Sequence, residues 1–523
     1  MYGTILARRG QRATNARTTT GGGAPAAPTI TEAGPAVRSS IGPGATLVIV
    51  GGGGFRVPLV YRALADGPFA GLVSDVVLLD ASEGRARAIA RVLQAMPLAT
   101  GTPGPTVRVE TDLARALPGA DIVFAAVRSG GADGRVLDER VALEAGLLGQ
   151  ETVGAGGISY ALRSIPDMLR LATAMRQLAP EAWLINFTNP AGMVTEAVSA
   201  VLGHRVIGIC DSASGLVTRA ARAVGLDLRD SLAGVDYVGL NHLGWLRRLD
   251  AGASAGQAHE QAHGQAHGQA HGHDGGSPSA AARDGDRLPA LLADPLRLGS
   301  FEEGRLFGPD LLGTLGALPN EYLFYYYFHR EALRAIRGAD RTRGEILRDQ
   351  QQGLYPRLAE AVDPFGAWED ARRERESGYL AEARTADEQR DEADLAGGGY
   401  ERVALRVMRA LLTDRPAELI LNVRNGTTFP ELPETAVVEV PAVVKASGAA
   451  PRPAAPLTAH QLGLMAAVKA VEQDTVRAAV HRDREAALRA FAGHPLVDSF
   501  HAATAVLAGY ERAFPALAEF WAD

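Results

Sequence analysis

From residue 45 onward, the sequence alternates short apolar runs, many of them β-branched, with stretches that have helical periodicity. The apolar runs are TLVIV, DVVLLD, TVRVE, DIVFAAV, AWLINF, RVIGIC and GVDYVGL. Stretches such as PLVYRALA and EGRARAIARVLQ separate the first of them and have the spacing of amphipathic helices. Parallel strands need crossover connections of this kind, and near-continuous apolar runs indicate strands that are buried on both faces. The sequence therefore predicts an α/β fold built on a doubly wound parallel sheet.

Two segments lack this pattern. Residues 1–43 are rich in Gly, Pro, Ala and Thr, which predicts a disordered extension. Residues 251–287 contain the repeat QAHEQAHGQAHGQAHGHDGG, which carries five of the twelve histidines in the chain. Weak binding of transition metals is one interpretation of this repeat. A flexible, low-complexity insertion in a surface loop is the interpretation that we favour.

Composition narrows the class of protein. Cys210 is the only cysteine in 523 residues, so the chain cannot form an internal disulfide. No signal segment is recognisable, and no apolar run reaches the roughly 18 residues of a membrane span. The formal net charge of −7 gives no general attraction to nucleic acid or anionic lipid. These features predict a cytoplasmic enzyme that acts on a small molecule, without a nucleic-acid or membrane partner.

The first two strands end in residues that are typical of a dinucleotide site. Gly51 and Gly53, in GGGGFRVP, supply a Gly-x-Gly turn that lets the backbone approach a pyrophosphate at a helix N-terminus. Asp80 ends the second strand, where a carboxylate accepts hydrogen bonds from a ribose and disfavours a 2′-phosphate. An ordinary tight turn that binds no nucleotide is the alternative interpretation of the two glycines. Together the three residues predict binding of NAD rather than NADP.

Polar residues also follow the later strands. These are Arg128, Asn189, Cys210 with Asp211, and His242 within GLNHLGW. A thiolate, an imidazole and an amide oxygen can together bind a divalent ion and leave positions open for substrate. A lone cysteine on a strand is more often a small buried apolar residue. Because the carboxyl ends of parallel strands meet at one edge of the sheet, we interpret the group as a metal and substrate site beside the dinucleotide.

At this point the sequence resembles glycoside hydrolase family 4, the NAD-dependent glycosidases. The resemblance runs from about residue 45 to the C-terminus and depends on long motifs in the family's order: VIVGGGGFRVP, VRSGGADGRVLDERVALEAGLLGQETVGAGGISYALRSIP, INFTNPAG, GICDS, GLNHLGW and LPNEYLFYYY. It implies a Rossmann-type NAD domain, placed at residues 44–240, and a mainly helical α+β substrate domain at residues 241–523, as in lactate dehydrogenases. It also implies a divalent cofactor, usually Mn²⁺, and a homo-oligomer.

The resemblance implies a role for each matching residue. Cys210 and His242 would hold the metal, Asn189 would contact the sugar beside it, and Arg128 would bind the substrate through its 6-phosphate. Tyr322, the first tyrosine of NEYLFYYYF, would be the catalytic base. In the implied mechanism, oxidation at C3 acidifies the proton on C2. Removal of that proton expels the aglycone, water adds, and the hydride returns to C3.

The sequence departs from the family in two places. GFRVP replaces a turn that usually contains Ser and Thr, and Asp211 stands where many 6-phospho-β-glucosidases have Asn. In some α-specific members an Asp at this position resembles a general acid, so Asp211 is a candidate catalytic residue. The motifs GLNHLGW and LNVRNGTTFPELPETAVVEVPA resemble the phospho-β branch. We therefore predict a 6-phospho-β-glucosidase.

Three alternatives remain open from the sequence. The first is a 6-phospho-α-glucosidase, or an unphosphorylated α-glycosidase, of the same family. The second is an NAD-dependent 2-hydroxyacid dehydrogenase, which shares the nucleotide domain but needs no Cys–His metal pair. The third is an NAD-binding regulatory protein without catalysis.

Overall fold

The computed structural model describes residues 44–98, 104–228, 231–250, 285–377 and 399–522. The predicted extension, residues 1–43, and residues 251–284 of the predicted insertion lie outside these ranges. Within them, none of the helices combines the length and the apolar character that crossing a bilayer requires.

The strands of the described chain form two sheets. The larger has nine strands in the order β12-β11-β10-β6-β5-β4-β1-β2-β3. Its parallel part contains β1 (Ala45–Val50), β2 (Val73–Leu79), β3 (Thr106–Glu110), β4 (Ile122–Ala125), β5 (Trp183–Asn186) and β6 (Val206–Gly208). Its antiparallel part contains β10 (Ala417–Arg424), β11 (Val437–Lys445) and β12 (Gly448–Pro451). The predicted doubly wound α/β fold is confirmed.

Helices connect these strands and build most of the C-terminal half. The helices that precede residue 230 are α1 (Val57–Ala65), α2 (Glu83–Gln94), α3 (Leu113–Ala116), α4 (Gly131–Glu144), α5 (Gly154–Leu178), α6 (Ala191–Leu202) and α7 (Ser212–Ala223). Those that follow are α8 (Leu288–Leu292), α9 (Pro295–Leu298), α10 (Glu302–Leu315), α11 (Phe324–Tyr327), α12 (His329–Gly338), α13 (Arg343–Glu360), α14 (Pro364–Ser377), α15 (Tyr400–Thr413), α16 (Ala459–His481), α17 (Arg484–Gly493), α18 (Phe500–Ala513) and α19 (Pro515–Ala522). A short 3₁₀ helix, Glu321–Leu323, precedes α11.

Side chains of the large sheet alternate between two buried cores, as the period of two of a strand requires. On β1, Leu47 and Ile49 point into a core that includes α1, α2 and α15, whereas Val48 points into a core that includes α5, α6, α17 and α18. Both faces of the sheet are therefore covered. This burial explains why the parallel strands other than the edge strand β3 are nearly unbroken apolar runs in the sequence.

The structure corrects one prediction about the sheet. The run GVDYVGL forms β7 (Val235–Leu240), which is not the next strand of the parallel sheet. It pairs antiparallel with β8 (Leu243–Leu249), and β8 pairs with β9 (Leu318–Pro319), in a separate three-stranded sheet of the described residues. The physical reason is the short turn after Leu240, because a two-residue connection can join only antiparallel neighbours.

The position beside β6 belongs instead to β10, from the C-terminal half. The two parts of the chain therefore share one continuous sheet. The predicted boundary between residues 240 and 241 lies in the turn that joins β7 and β8. The division into an NAD domain and a substrate domain stays a prediction.

His494 is a buried histidine that follows α17. Its Nδ1 accepts a hydrogen bond from the N–H of Leu496 at 3.0 Å, and its ring stacks on Tyr326 with 6.2 Å between the ring centroids. Burial lowers the pKa of His494 to about 4, below the ordinary value near 6.5. Between these values the unfolded chain binds a proton that the folded chain excludes. Stability contributed by this residue is therefore lost as the pH falls below 6.5.

We expect the melting temperature of the His494→Asn variant to fall less between pH 7 and pH 5 than that of the wild type. Asparagine keeps an acceptor for the Leu496 N–H but does not titrate, which removes a loss of about 2 kcal/mol at pH 5. Thermal unfolding at the two pH values measures the difference, with the exposed His501→Asn as the control. An equal fall in wild type and His494→Asn would contradict this account.

Candidate active site

The turn after β1 has the geometry of a dinucleotide cradle. Gly51 has φ +89°, and a Cβ there would lie 2.6 Å from the carbonyl oxygen of Ala126. A Cβ on Gly53 would lie 2.8 Å from Cβ of Arg85. Both positions therefore require glycine. The turn leads into α1, whose N-terminus is the positive end of the helix dipole.

Asp80 follows β2 and contacts the same turn. Its Oδ2 accepts a hydrogen bond from the N–H of Gly53 at 2.9 Å, and its Oδ1 accepts one from the N–H of Ser82 at 2.8 Å. Each carboxylate oxygen keeps a further lone pair. This arrangement fits the predicted contact with a ribose.

Residues of the C-terminal half support the turn from the other side. The Tyr355 hydroxyl of α13 donates to the carbonyl oxygen of Gly53 at 2.9 Å, and the Trp368 indole of α14 donates to that of Phe55 at 2.8 Å. Sequence reasoning did not find these two residues, because a tyrosine or tryptophan on a helix gives no local sign of a distant partner.

A cavity of about 1060 Å³ lies beside the turn and contains several of the predicted residues. Gly51, Asp80, Arg128 and Asn189 line it. The other predicted site residues are not part of its lining: Gly53, Cys210, Asp211, His242 and Tyr322. The cavity therefore joins the predicted dinucleotide residues to the predicted substrate residues, and the metal candidates lie outside its walls.

The wall around Arg128 is rich in arginine. Arg128 forms an ion pair with Glu151, and Arg135 bonds the other oxygen of Glu151 at 2.6 Å. Burial by itself would raise the pKa of Glu151, but the two arginines lower it below its usual value. Glu151 lies in the quoted motif GLLGQETVGAGG, yet its role as the counter-ion of Arg128 was not predicted from the sequence.

Arg375 adds a further positive charge to this wall. It lines the cavity, and its guanidinium lies 5.0 Å from the ring centroid of Phe55. Burial lowers the pKa of Arg375 to about 9, and the positive charge of three nearby arginines adds to the shift. These arginines are Arg56, Arg128 and Arg135. A wall with this excess of positive charge suits an anionic ligand.

Two of the predicted site residues each have an orphaned polar atom. Asn189 Oδ1 and His242 Nδ1 are buried and have no hydrogen-bond partner in the described part of the chain. Leaving such an atom unsatisfied costs about 1–3 kcal/mol. Burial lowers the pKa of His242 to about 3, so its ring is neutral at pH 7 and offers an unprotonated nitrogen. Both atoms suit coordination to a cation.

The backbone brings these two residues together. His242 has φ +63°, a left-handed conformation that costs about 1–3 kcal/mol in a residue other than glycine. The side chain of Asn241 accepts a hydrogen bond from the N–H of Ala191 at 3.1 Å, just after Asn189 and Pro190. The turn that carries His242 is therefore tied to the loop that carries Asn189.

Cys210 lies just beyond β6 and is buried. Burial raises the pKa of its thiol well above the usual range, and the negative charges of Glu439 and Asp211 add to the shift. The thiol is therefore neutral on its own, whereas a bound cation would favour the thiolate. Among the residues that the structure describes, no group of three His, Cys, Asp or Glu side chains is placed to hold a metal ion.

Tyr322 lies against His242. The two rings are stacked with 3.7 Å between their centroids and 8° between their planes. The 3₁₀ helix that carries Tyr322 begins after Asn320, whose Oδ1 accepts the N–H of Tyr322 at 3.1 Å. Tyr325 is buried in the core beside it, with 6.4 Å between the centroids of the two tyrosine rings.

Asp211 occupies the N-cap position of α7. Its Oδ2 approaches the backbone of Gly399, where a Cβ would lie only 2.8 Å away. Its charge also acts on Glu321 and Glu401 and raises the pKa of each, after the larger effect of burial. Asp211 is therefore one of several carboxylates that surround the Cys210 end of β6.

Comparison with known proteins identifies relatives of this chain and structures with the same fold. The chain is 29% identical over 457 residues to the 6-phospho-β-glucosidase of Escherichia coli K12. This alignment covers 87% of this chain and 91% of the relative. The 6-phospho-β-glucosidase of Thermotoga maritima, solved with manganese, NAD⁺ and glucose-6-phosphate, has the same fold, with 22% identity, a TM-score of 0.69, and coverage of 90% of this chain and 99% of that one.

A 6-phospho-α-glucosidase from gut microorganisms, solved with NAD and glucose-6-phosphate, also has this fold. It is 24% identical with a TM-score of 0.71, over 91% of this chain and 98% of that one. The model of the family 4 glycosyl hydrolases matches residues 46–226, and that of their C-terminal domain matches residues 237–497. The chain belongs to glycoside hydrolase family 4, as the sequence predicts.

Proposed function

We propose that this protein is an NAD⁺- and Mn²⁺-dependent 6-phospho-β-glucosidase. The observation that carries the proposal is the stack of Tyr322 on His242, whose Nδ1 lacks a partner among the described residues. A candidate base and a candidate metal ligand are thus adjacent, as proton removal beside a polarising ion requires. The glycine turn supports NAD⁺ binding, the arginine-rich cavity supports an anionic substrate, and family membership supports the reaction.

Each residue has a proposed task. Gly51 and Gly53 let the pyrophosphate approach the N-terminus of α1, and Asp80 accepts from the ribose hydroxyls. Cys210 and His242 hold the divalent ion. When bound, NAD⁺ takes and returns a hydride at C3 of the sugar, and the ion polarises the C3 oxygen.

The remaining residues act on the sugar. Asn189 orients it through its orphaned Oδ1, and Arg128, held by Glu151, binds its 6-phosphate. Tyr322 removes the proton from C2, which drives the aglycone from C1. Asp211 donates a proton to the departing oxygen and takes one back from the water whose oxygen adds to C1. Tyr322 returns a proton to C2 after water has added to C1.

A 6-phospho-α-glucosidase is the second candidate, and Asp211 is the observation that favours it. An Asp after the metal-binding Cys resembles the general acid of α-specific members, and an α-specific enzyme is among the structural neighbours. The choice between the anomers therefore needs a direct assay. The cytoplasmic location and the homo-oligomeric state stay predictions.

We expect turnover of 4-nitrophenyl 6-phospho-β-glucoside that requires both NAD⁺ and Mn²⁺. The unphosphorylated glucoside should react at least about tenfold more slowly, because it lacks a charge-assisted contact of about 1.5–3 kcal/mol. Release of nitrophenol from the α and β substrates, each with and without the phosphate, gives the comparison. Faster release from the α-phosphate would favour the second candidate, whereas NADH accumulation with a 2-hydroxy acid would indicate a dehydrogenase.

The Gly51→Ala variant should bind NAD⁺ at least about tenfold more weakly. A methyl group there would meet the carbonyl oxygen of Ala126 at 2.6 Å, and φ > 0 costs alanine about 1–3 kcal/mol. Calorimetric titration with NAD⁺ measures the effect. The control is Gly84→Ala on α2, where a Cβ meets nothing within 4 Å. Equal affinity in both variants would refute this dinucleotide turn.

Replacing Cys210 by Ser should weaken Mn²⁺ binding by about tenfold or more, because a soft anionic ligand is lost. The affinity for NAD⁺ should not change. Disappearance of the free Mn²⁺ signal in electron paramagnetic resonance measures binding without turnover. Ser164→Ala, which removes a buried hydroxyl from α5, is the control. Unaltered Mn²⁺ affinity in Cys210→Ser would remove this residue from the site.

A further inference from the structure

Glu439 is a buried carboxylate in β11, and it receives hydrogen bonds from three side chains. Only 1% of its surface is exposed. Its Oε2 accepts from the Tyr237 hydroxyl at 3.0 Å, and its Oε1 accepts from the amides of Asn422 at 3.1 Å and Asn241 at 3.4 Å. A buried carboxylate needs such donors, since an unpaired charge in the interior is costly.

The donor Asn241 connects Glu439 to two parts of the candidate metal site. Asn241 precedes His242 directly, and its Oδ1 accepts the N–H of Ala191 at 3.1 Å. Ala191 stands two positions after Asn189. One amide side chain therefore links the turn of His242, the loop of Asn189 and the carboxylate of Glu439.

The donor Asn422 connects Glu439 to the segment of Cys210. Asn422 on β10 lies opposite Gly208 on β6, two positions before Cys210. The contact is close, because a Cβ on Gly208 would lie 2.7 Å from that of Asn422. Glu439 also lies near enough to Cys210 for its charge to act on the thiol.

The donor Tyr237 connects Glu439, through β8, to the segment that carries Tyr322. Tyr237 on β7 packs its hydroxyl against Gly244, where a Cβ would lie only 2.3 Å from the hydroxyl oxygen. The carbonyl oxygen of Gly244 accepts the N–H of Asn320 at 2.8 Å, and Asn320 in turn holds the N–H of Tyr322. This path runs from Glu439 to the candidate base.

We propose that Glu439 is a positioning residue, which holds the segments of Cys210, His242, Asn189 and Tyr322 in one arrangement through its three hydrogen bonds. The inference rests on the proposed function and adds to it a residue that contacts neither the substrate nor the cofactors. These segments come from distant parts of the chain, and no single helix or strand contains them. Substitution of residues that orient metal ligands commonly lowers metal affinity by about 10–100-fold.

Two substitutions separate hydrogen bonding from charge. Glu439→Leu removes both acceptors at similar volume and leaves the three donors unsatisfied. Glu439→Gln loses the charge but keeps one carbonyl oxygen for the two asparagine amides, while its NH₂ can donate to the Tyr237 hydroxyl oxygen. We expect Leu to raise the Kd for Mn²⁺ by about tenfold or more, and Gln to raise it less than about threefold. The Kd for NAD⁺ should stay unchanged in both.

Asn241→Ala is the companion variant and cuts the link between Glu439 and Ala191. It should weaken Mn²⁺ binding as Glu439→Leu does, and it carries the test if the leucine variant does not fold. Asn425→Ala is the matched control. Asn425 is a fully buried asparagine just after β10, and its amide donates to the carbonyl oxygens of Phe429, Leu432 and Pro433. Its replacement should therefore lower stability without changing Mn²⁺ affinity.

Electron paramagnetic resonance titration of the purified full chain with Mn²⁺ and NAD⁺ gives these affinities without an activity assay. Wild-type affinity in Glu439→Leu and Asn241→Ala would overturn the inference. A loss in Glu439→Gln equal to that in Glu439→Leu would also overturn it, because charge rather than hydrogen bonding would then be responsible. If the wild type itself bound no Mn²⁺, the proposed function would fail rather than this inference alone.

Discussion

The pairing of β6 with β10 is the constraint on which the site depends. Through the pair Gly208 and Asn422, the parallel sheet of the first half continues into antiparallel strands of the second. The join is tight, because a Cβ on Gly208 would lie 2.4 Å from Thr195 Oγ1 and 2.7 Å from Asn422 Cβ. Only glycine fits there, and Cys210 follows two positions later.

The continuous sheet forces polar groups into a buried environment. Asn186 on β5 bonds Thr195 at 3.1 Å and orders the loop that leads to Asn189, while Asn422 bonds Glu439 on the neighbouring strand. Since buried polar atoms are costly when unpaired, such a network has few alternative arrangements. Asn189 Oδ1 and His242 Nδ1 are among the buried polar atoms that have no hydrogen-bond partner among the described residues, as is Asn422 Oδ1.

Much of the fold followed from local sequence patterns. The apolar runs of β1, β2, β4, β5 and β6 are recognisable in the sequence because both faces of these strands are buried, whereas the edge strand β3 is only partly buried. The glycines of the first turn are required because a side chain there would clash with neighbouring atoms. The run of β7 was misassigned, since its apolar pattern does not reveal which sheet it joins. Partners distant in the chain, such as Tyr355 with Gly53, cannot be found from spacing.

The candidate site also contains residues that local sequence patterns identify and residues whose role depends on distant partners. Cys210, Asn189 and His242 follow apolar runs, so the sequence identified them as candidates, and the family motifs identified Tyr322. Glu439 lies within VVEVP and resembles an ordinary polar position of a strand; its burial becomes visible only when β10 and β7 pack around it. Glu151 was missed for a similar reason, because its partner Arg128 lies 23 positions away.

We propose that Tyr322 removes and replaces the hydrogen on C2 while the glycosidic bond is broken. Ordinary glycosidases cleave the bond between C1 and oxygen and leave that hydrogen in place. The direct measurement is the deuterium content at C2 of the sugar released in heavy water, read by NMR or mass spectrometry with NAD⁺ and Mn²⁺ present. The account predicts deuterium at C2 from the wild type and neither product nor label from Tyr322→Phe, which should still bind NAD⁺. Product that forms at the normal rate with only hydrogen at C2 would contradict it.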